Sequence, residues 1–130
     1  MILAFDVGNT ETVIGLFETG DGDGISVVDL AGRTVIATVK TGRKPHGVAV
    51  APDGSSIFVS NEADGTLTII DAVRHQVRAS EAVGGAPHQI EVTRDGRQVL
   101  VPLNDKAAVE ALFIQGTSTA LVALARKEQD

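Results

Sequence analysis

The sequence predicts an all-β fold assembled from antiparallel four-stranded units. Three observations carry that expectation. Residues 25–107 hold two consecutive copies of a 42-residue unit. Within each copy, short β-branched runs alternate with Asp-Gly turns. Aromatic residues are scarce, with four Phe, no Trp and no Tyr, so the core must come from Val, Ile, Leu and Ala.

The repeat is read from matching residues at one spacing. Pro45–His46 recurs as Pro87–His88, Asp53–Gly54 as Asp95–Gly96, and Ile25–Asp29 as Leu67–Asp71, each 42 residues on. Gly42 answers Gly84, and Asn61 answers Asn104 with one extra residue. A fixed period of this size is the signature of a repeat architecture. Inside the first copy, Val48 and Val50 alternate with Ala49 and Ala51 in a strand that ends at Pro52. Pro-Asp-Gly follows, where Pro presets φ and Gly accepts positive φ. Ile57–Val59 is a β-branched and aromatic run suited to a strand. Ala63–Gly65 turns the chain into Thr66–Ile70, which Asp71 ends. Val77–Val83 is more polar and suits an outer edge. Four strands in 42 residues is the size of a β-propeller blade.

The pattern PHGVAVAPDG…IFVSNEADGTLTIID over residues 45–71 resembles the YVTN family of β-propeller repeats. The family's namesake strand is matched by FVSN at 58–61 and LVPLN at 100–104. The second copy departs from the pattern: Arg94 replaces the turn proline, and Pro102 sits inside a strand. Proline cannot donate to a ladder, so that strand should be bulged or at an edge. The resemblance covers residues 25 to 112. It implies a WD-repeat-like binding or protein-interaction module without catalysis. Propellers close with about 4–8 blades, and this length supplies fewer. The expected layout is one domain over 1–130: a hairpin or partial blade (1–24), repeats at 25–66 and 67–108, and a partial blade or helix (109–130). That is an incomplete propeller of about two full and two partial blades. Open blade edges invite a protein partner or self-association.

The two ends read differently. In MILAFDVGNTETVIGLFE, strands at Ile2–Phe5 and Val13–Phe17 flank the loop DVGNTET, whose N–H groups and hydroxyls could be aimed at a phosphate. A plain hairpin turn explains the same residues. The segment resembles the opening of type III pantothenate kinases, whose first hairpin carries DVGNTNT. That resemblance implies ATP and Mg as cofactors, with Asp6 facing the metal–phosphate group, Gly8, Asn9 and Thr10 forming the loop, and Thr12 following it. Glu11 stands where the family has Asn. IQGTSTAL (114–121) faintly resembles the second phosphate motif through Gly116, Thr117 and Thr119, but Ile114 replaces its Asp. A kinase of that class also needs two actin-like domains, so the loop is expected to be inactive. Ends and middle resemble different families, as in a fragment or chimera. The run STALVALARK favours a short C-terminal helix on propensity, capped by Thr117 or Ser118, whereas the repeat register predicts a strand around 119–124.

Composition removes other classes. A net charge of −6 and pI near 4.9 repel a phosphate backbone, so nucleic-acid binding is not expected. With no cysteine, disulfides and thiolate metal sites are excluded. The sequence as written shows no signal peptide, which implies a cytoplasmic chain, and no stretch of about 18 apolar residues that would span a membrane.

His46 and His88 are the candidate ligand residues. Recurring one blade apart, they would face a central channel and bind a metal or an anionic ligand. A repeat-consensus residue bonded to a neighbouring strand is the simpler explanation. Two histidines without a third donor make a weak metal site, so none is expected. His75 reads as solvated. Asp53 and Asp95 are explained by turn formation. Glu18–Asp23 reads as a solvated turn rather than a calcium loop. No Ser or Thr has a His/Asp partner implied by spacing, so no catalytic residue is assigned.

Overall fold

The computed structural model describes residues 23–29 and 31–103 in full, and residues 2–7, 10–17, 108–115 and 118–125 as backbone strands. These strands form three four-stranded antiparallel sheets, each a meander in chain order. The first contains β1 (Ile2–Val7), β2 (Thr10–Phe17), β3 (Gly24–Asp29) and β4 (Thr34–Lys40). The second contains β5 (Pro45–Val50), β6 (Ser56–Asn61), β7 (Thr66–Asp71) and β8 (Gln76–Ala82). The third contains β9 (Glu91–Val92), β10 (Gln98–Leu103), β11 (Ala108–Gln115) and β12 (Ser118–Ala125). The all-β, four-stranded architecture is the one expected. Each sequence repeat straddles two sheets: residues 25–66 run from β3 into β7. The terminal segments pair onto the copies, so every sheet reaches four strands.

The period recurs in the hydrogen-bond register. Val50 pairs with Ile57 as Val92 pairs with Val99, and Pro45 pairs with Asn61 as Pro87 bridges Leu103. Leu103, not Asn104, therefore occupies the Asn61 slot; Asn104 lies outside the described residues. Positive φ angles repeat too, at Arg33 and His75 and at Gly54 and Gly96. A bulge in the β3–β4 ladder leaves Ile36 unpaired, and one in β7–β8 leaves Arg78 unpaired. Bulges re-aim side chains. Arg78 reaches back across the sheet to donate to Ser56 Oγ (2.7 Å) and Asp71 Oδ2 (3.3 Å).

The sheets stack face to face over two cores. One joins Ile25, Val27 and Val39 to Val48, Ile57, Val59 and Ile70. The other joins Phe58, Leu67 and Ile69 to Ile90, Val99, Val101 and Leu103. The strand period of two sends alternate residues of β6 to opposite faces. Both faces are covered, which is why every residue of β6 is buried.

Two further expectations need amendment. The C-terminal run is a strand, β12, rather than a helix. Helix propensity is worth only tenths of a kcal/mol per residue, and an isolated helix of this length is marginal. Pairing instead satisfies the free edge of β11 from Val109 to Gln115, with one register shift. Pro102 is neither bulged nor on an edge strand against β11, where it pairs with Val109. Its effect appears on the other side of β10. The β9 ladder covers only Val99 and Leu100, and the pairings at Val101 and Pro102 are missing, as a residue without an N–H requires. Pro102 is exposed there.

The turns are held by aspartates. Asp53 accepts from Ser55 Oγ (2.6 Å) and Ser55 N–H (3.0 Å), and Asp95 from Thr93 Oγ1 (2.6 Å) and Arg97 N–H (3.0 Å). Asp71 accepts from the N–H groups of Val73 and Arg74, both at 2.9 Å. These bonds favour the ionised form and hold all three carboxyls below the ordinary aspartate value of 3.8. A carboxyl with a lowered folded-state pKa contributes stability that is complete above its unfolded value and is lost as pH falls through the folded one. Thermal denaturation followed from neutral pH downwards should show a melting temperature that declines below about pH 5. Asp71→Asn should flatten part of that decline.

Candidate functional site

The first strands of neighbouring sheets, β5 and β9, lie side by side, and the last strands β8 and β12 also approach. Repeat-equivalent residues at the start of the first strands are thereby brought together. The imidazoles of His46 and His88 are in contact, with ring centroids 3.3 Å apart and planes tilted by 33°.

Local structure explains how each side chain is presented. Pro45 pairs with Asn61 and Gly47 with Ser60, so His46 is the extra residue of a bulge. That irregularity turns its ring out of the ordinary strand alternation. The backbone just before it is tied to the far end of β6: Glu62 N–H donates to the Lys44 carbonyl (2.9 Å). Arg43 is tied to Asp64 through its N–H (2.8 Å) and Nε (2.6 Å), and Lys44 N–H donates to Asp23 Oδ2 (2.6 Å). His88 is placed by Ser60, a fully buried hydroxyl. Ser60 Oγ accepts from Gly47 N–H at 2.8 Å and donates to the His88 carbonyl. Gly47 permits this approach, because a Cβ there would collide with that same carbonyl and with Ser60 Oγ.

The structure adds a third group that the sequence reading missed. Glu62 follows β6 directly, and its Oε2 lies 3.9 Å from His88 Nε2. One donor atom from each of His46, Glu62 and His88 falls within 4.8 Å of the others. All three side chains are half-buried. Lys44 Nζ stands 3.7 Å from the other carboxylate oxygen, Glu62 Oε1. His46 Nδ1 is buried and has no hydrogen-bond partner among the described residues. Leaving such a nitrogen unsatisfied costs about 1–3 kcal/mol. The only signal available in the sequence was hairpin geometry: once Pro45 faces Asn61, Glu62 must lie beside Lys44–His46.

Among the described residues, none of the other candidates belongs to the His46–Glu62–His88 group. Asp6 lies in β1 opposite Glu11, while Thr10 and Thr12 lie in β2 opposite Val7 and Phe5. Gly8 and Asn9 lie outside the described residues, as do Gly116 and Thr117. Thr119 is a β12 residue opposite Ile114. Of the segment Glu18–Asp23 only Asp23 is described, and it holds the linker at Lys44. Asp53 and Asp95 flank one shallow cleft between matching turns, but each is bonded within its own turn. His75 is half-buried in the β7–β8 turn at φ 58°. The described residues hold no helix long and apolar enough to cross a membrane.

No family model and no curated protein matches the chain. Solved structures do. Dihydro-heme d1 dehydrogenase NirN in complex with DHE aligns with a TM-score of 0.75 at 24% identity, over 92% of this chain and 25% of that one. The WD40 β-propeller domain of Doa1 aligns at 0.70 and 19%, over 90% and 36%. A putative 6-phosphogluconolactonase from Bacteroides uniformis aligns at 0.73 and 10%, over 96% and 42%. The three sheets are β-propeller blades. At these identities the likeness shows the fold alone, and the chain spans between 25% and 42% of the length of these three chains. The resemblance of the N-terminal hairpin to pantothenate kinases gains no support from them.

The packing at Gly47 makes a sharp expectation. Gly47→Ala should push β5 away from β9 and cost about 1–3 kcal/mol, as overpacking does. Ser60→Ala should cost about 1–2 kcal/mol by unpairing Gly47 N–H and the His88 carbonyl. Urea denaturation of the two variants measures both. In a double variant the losses should not add, because they break the same contact.

Proposed function

We propose that the chain is a non-catalytic, YVTN-type propeller segment that binds a protein partner, and that copies of it associate through open blade edges. The two-sided packing of the β5–β8 sheet carries this reading. Each outer sheet contributes to one core among the described residues, whereas the middle sheet contributes to both. Blades of this kind reach a closed ring at about 4–8. The three four-stranded sheets among the described residues fall short of that, and two copies would supply enough. The edge strands support the same reading. Val35 (61% exposed) and Ile36 (48%) lie on β4, and Val77 (47%) lies at the matching position of β8. Apolar residues on an unpaired edge favour association.

Size-exclusion chromatography with light scattering should give a mass that is a multiple of 13.5 kDa. Val35→Lys with Ile36→Lys should shift that distribution towards the monomer. A monodisperse monomer at micromolar concentration would sink edge-driven association. The same preparation should show no Mg-dependent thermal shift with ATP. A shift that disappears in Asp6→Ala would instead favour the phosphate-loop reading of Asp6–Thr12.

A further inference from the structure

We propose that His46, Glu62 and His88 form a binding site for a divalent transition metal of the zinc class, bridging the second and third blades. The donor set is two imidazoles and one carboxylate, the combination that suits borderline cations such as zinc. Magnesium and calcium prefer all-oxygen sites. The three donors come from two different sheets and converge within 4.8 Å. Zinc held tetrahedrally at about 2.0–2.2 Å places its donors roughly 3.3–3.6 Å apart. The 3.9 Å between Glu62 Oε2 and His88 Nε2 is already close to that separation. Side-chain rotation has to bring the remaining donors from within 4.8 Å to that separation.

The environment fits a resident cation. His46 and His88 lie ring on ring beside a single carboxylate, and the two rings fan apart about their side-chain torsions to point one nitrogen each at a shared ion. His88 is 35% exposed and Glu62 22%, so an ion has a path in from solvent. The backbone around each donor is fixed before any metal arrives: His46 by its bulge, Glu62 by the Lys44 carbonyl, His88 by Ser60. Such pre-positioning lowers the cost of assembling a site. One group competes. The Lys44 ammonium occupies the far oxygen of Glu62 at 3.7 Å, and its side chain is 55% exposed, free to swing into solvent when a cation enters. With three protein donors, the remaining coordination position is open to water or to an acidic group of a partner.

The test is zinc titration of the full chain by calorimetry after chelator treatment, with cobalt(II) visible absorption as a second readout. One zinc should bind per chain, and cobalt should give the intense bands of a four- or five-coordinate site. Magnesium should give neither. Loss of an outer-shell contact already weakens metal affinity 10–100-fold, so His46→Ala, His88→Ala and Glu62→Gln should each weaken zinc by about tenfold or more. His75→Ala, remote from the cluster, should leave binding unchanged. Circular dichroism shows whether each variant keeps its fold. If a ligand variant unfolds, Lys44→Gln decides: removing the competing ammonium should tighten zinc severalfold. Absence of zinc binding, binding insensitive to every cluster variant including Lys44→Gln, or binding abolished by His75→Ala would each overturn the site. The outcome is independent of whether the chain self-associates.

Discussion

Ile57 and Val59 enter one core, and Phe58, between them in β6, enters the other. A single strand thus serves two sheet–sheet interfaces. Burying Phe58 alone is worth about 2 kcal/mol, and its removal would cost more because a cavity would remain. The flanking sheets are held in place through that strand and β7. Their spacing, in turn, sets how closely the first strands approach one another.

That approach is where packing becomes chemistry. Twisted sheets that stack around a common axis bring equivalent positions of their first strands together. Gly47 allows the contact and Ser60 secures it. The buried Asn61 extends the polar framework by donating to Thr66 Oγ1 and Thr68 Oγ1, and Thr68 donates on to the Thr41 carbonyl. Pro102 stands in the Ser60 slot of the third sheet and carries no hydroxyl. The first strand of that sheet, β9, is only two residues long.

Much of this was legible beforehand, for identifiable reasons. Period-two alternation, β-branched runs and Asp-Gly turns are local signals, and they located β3 and β5 to β8 within a few residues, while β4 was not picked out. The aspartate-held turns followed from the same local chemistry. The C-terminal helix failed because Ala and Leu score well in isolation, while the decisive quantity was the unpaired edge of β11. Pro102 was correctly marked as a disruption, but its side was not legible: a missing N–H weakens only the ladder it faces.

By itself, the sequence determined the repeat, its 42-residue period and the strand and turn residues within each unit, because these rest on interactions between near neighbours. It also showed that the two histidines are equivalent. Only the tertiary structure decided that they touch, and that Glu62 joins them. The His46 bulge, the clamp at Lys44 and the approach of β5 to β9 are contacts between segments up to 42 residues apart, and no local propensity encodes which side chains such contacts leave facing one another.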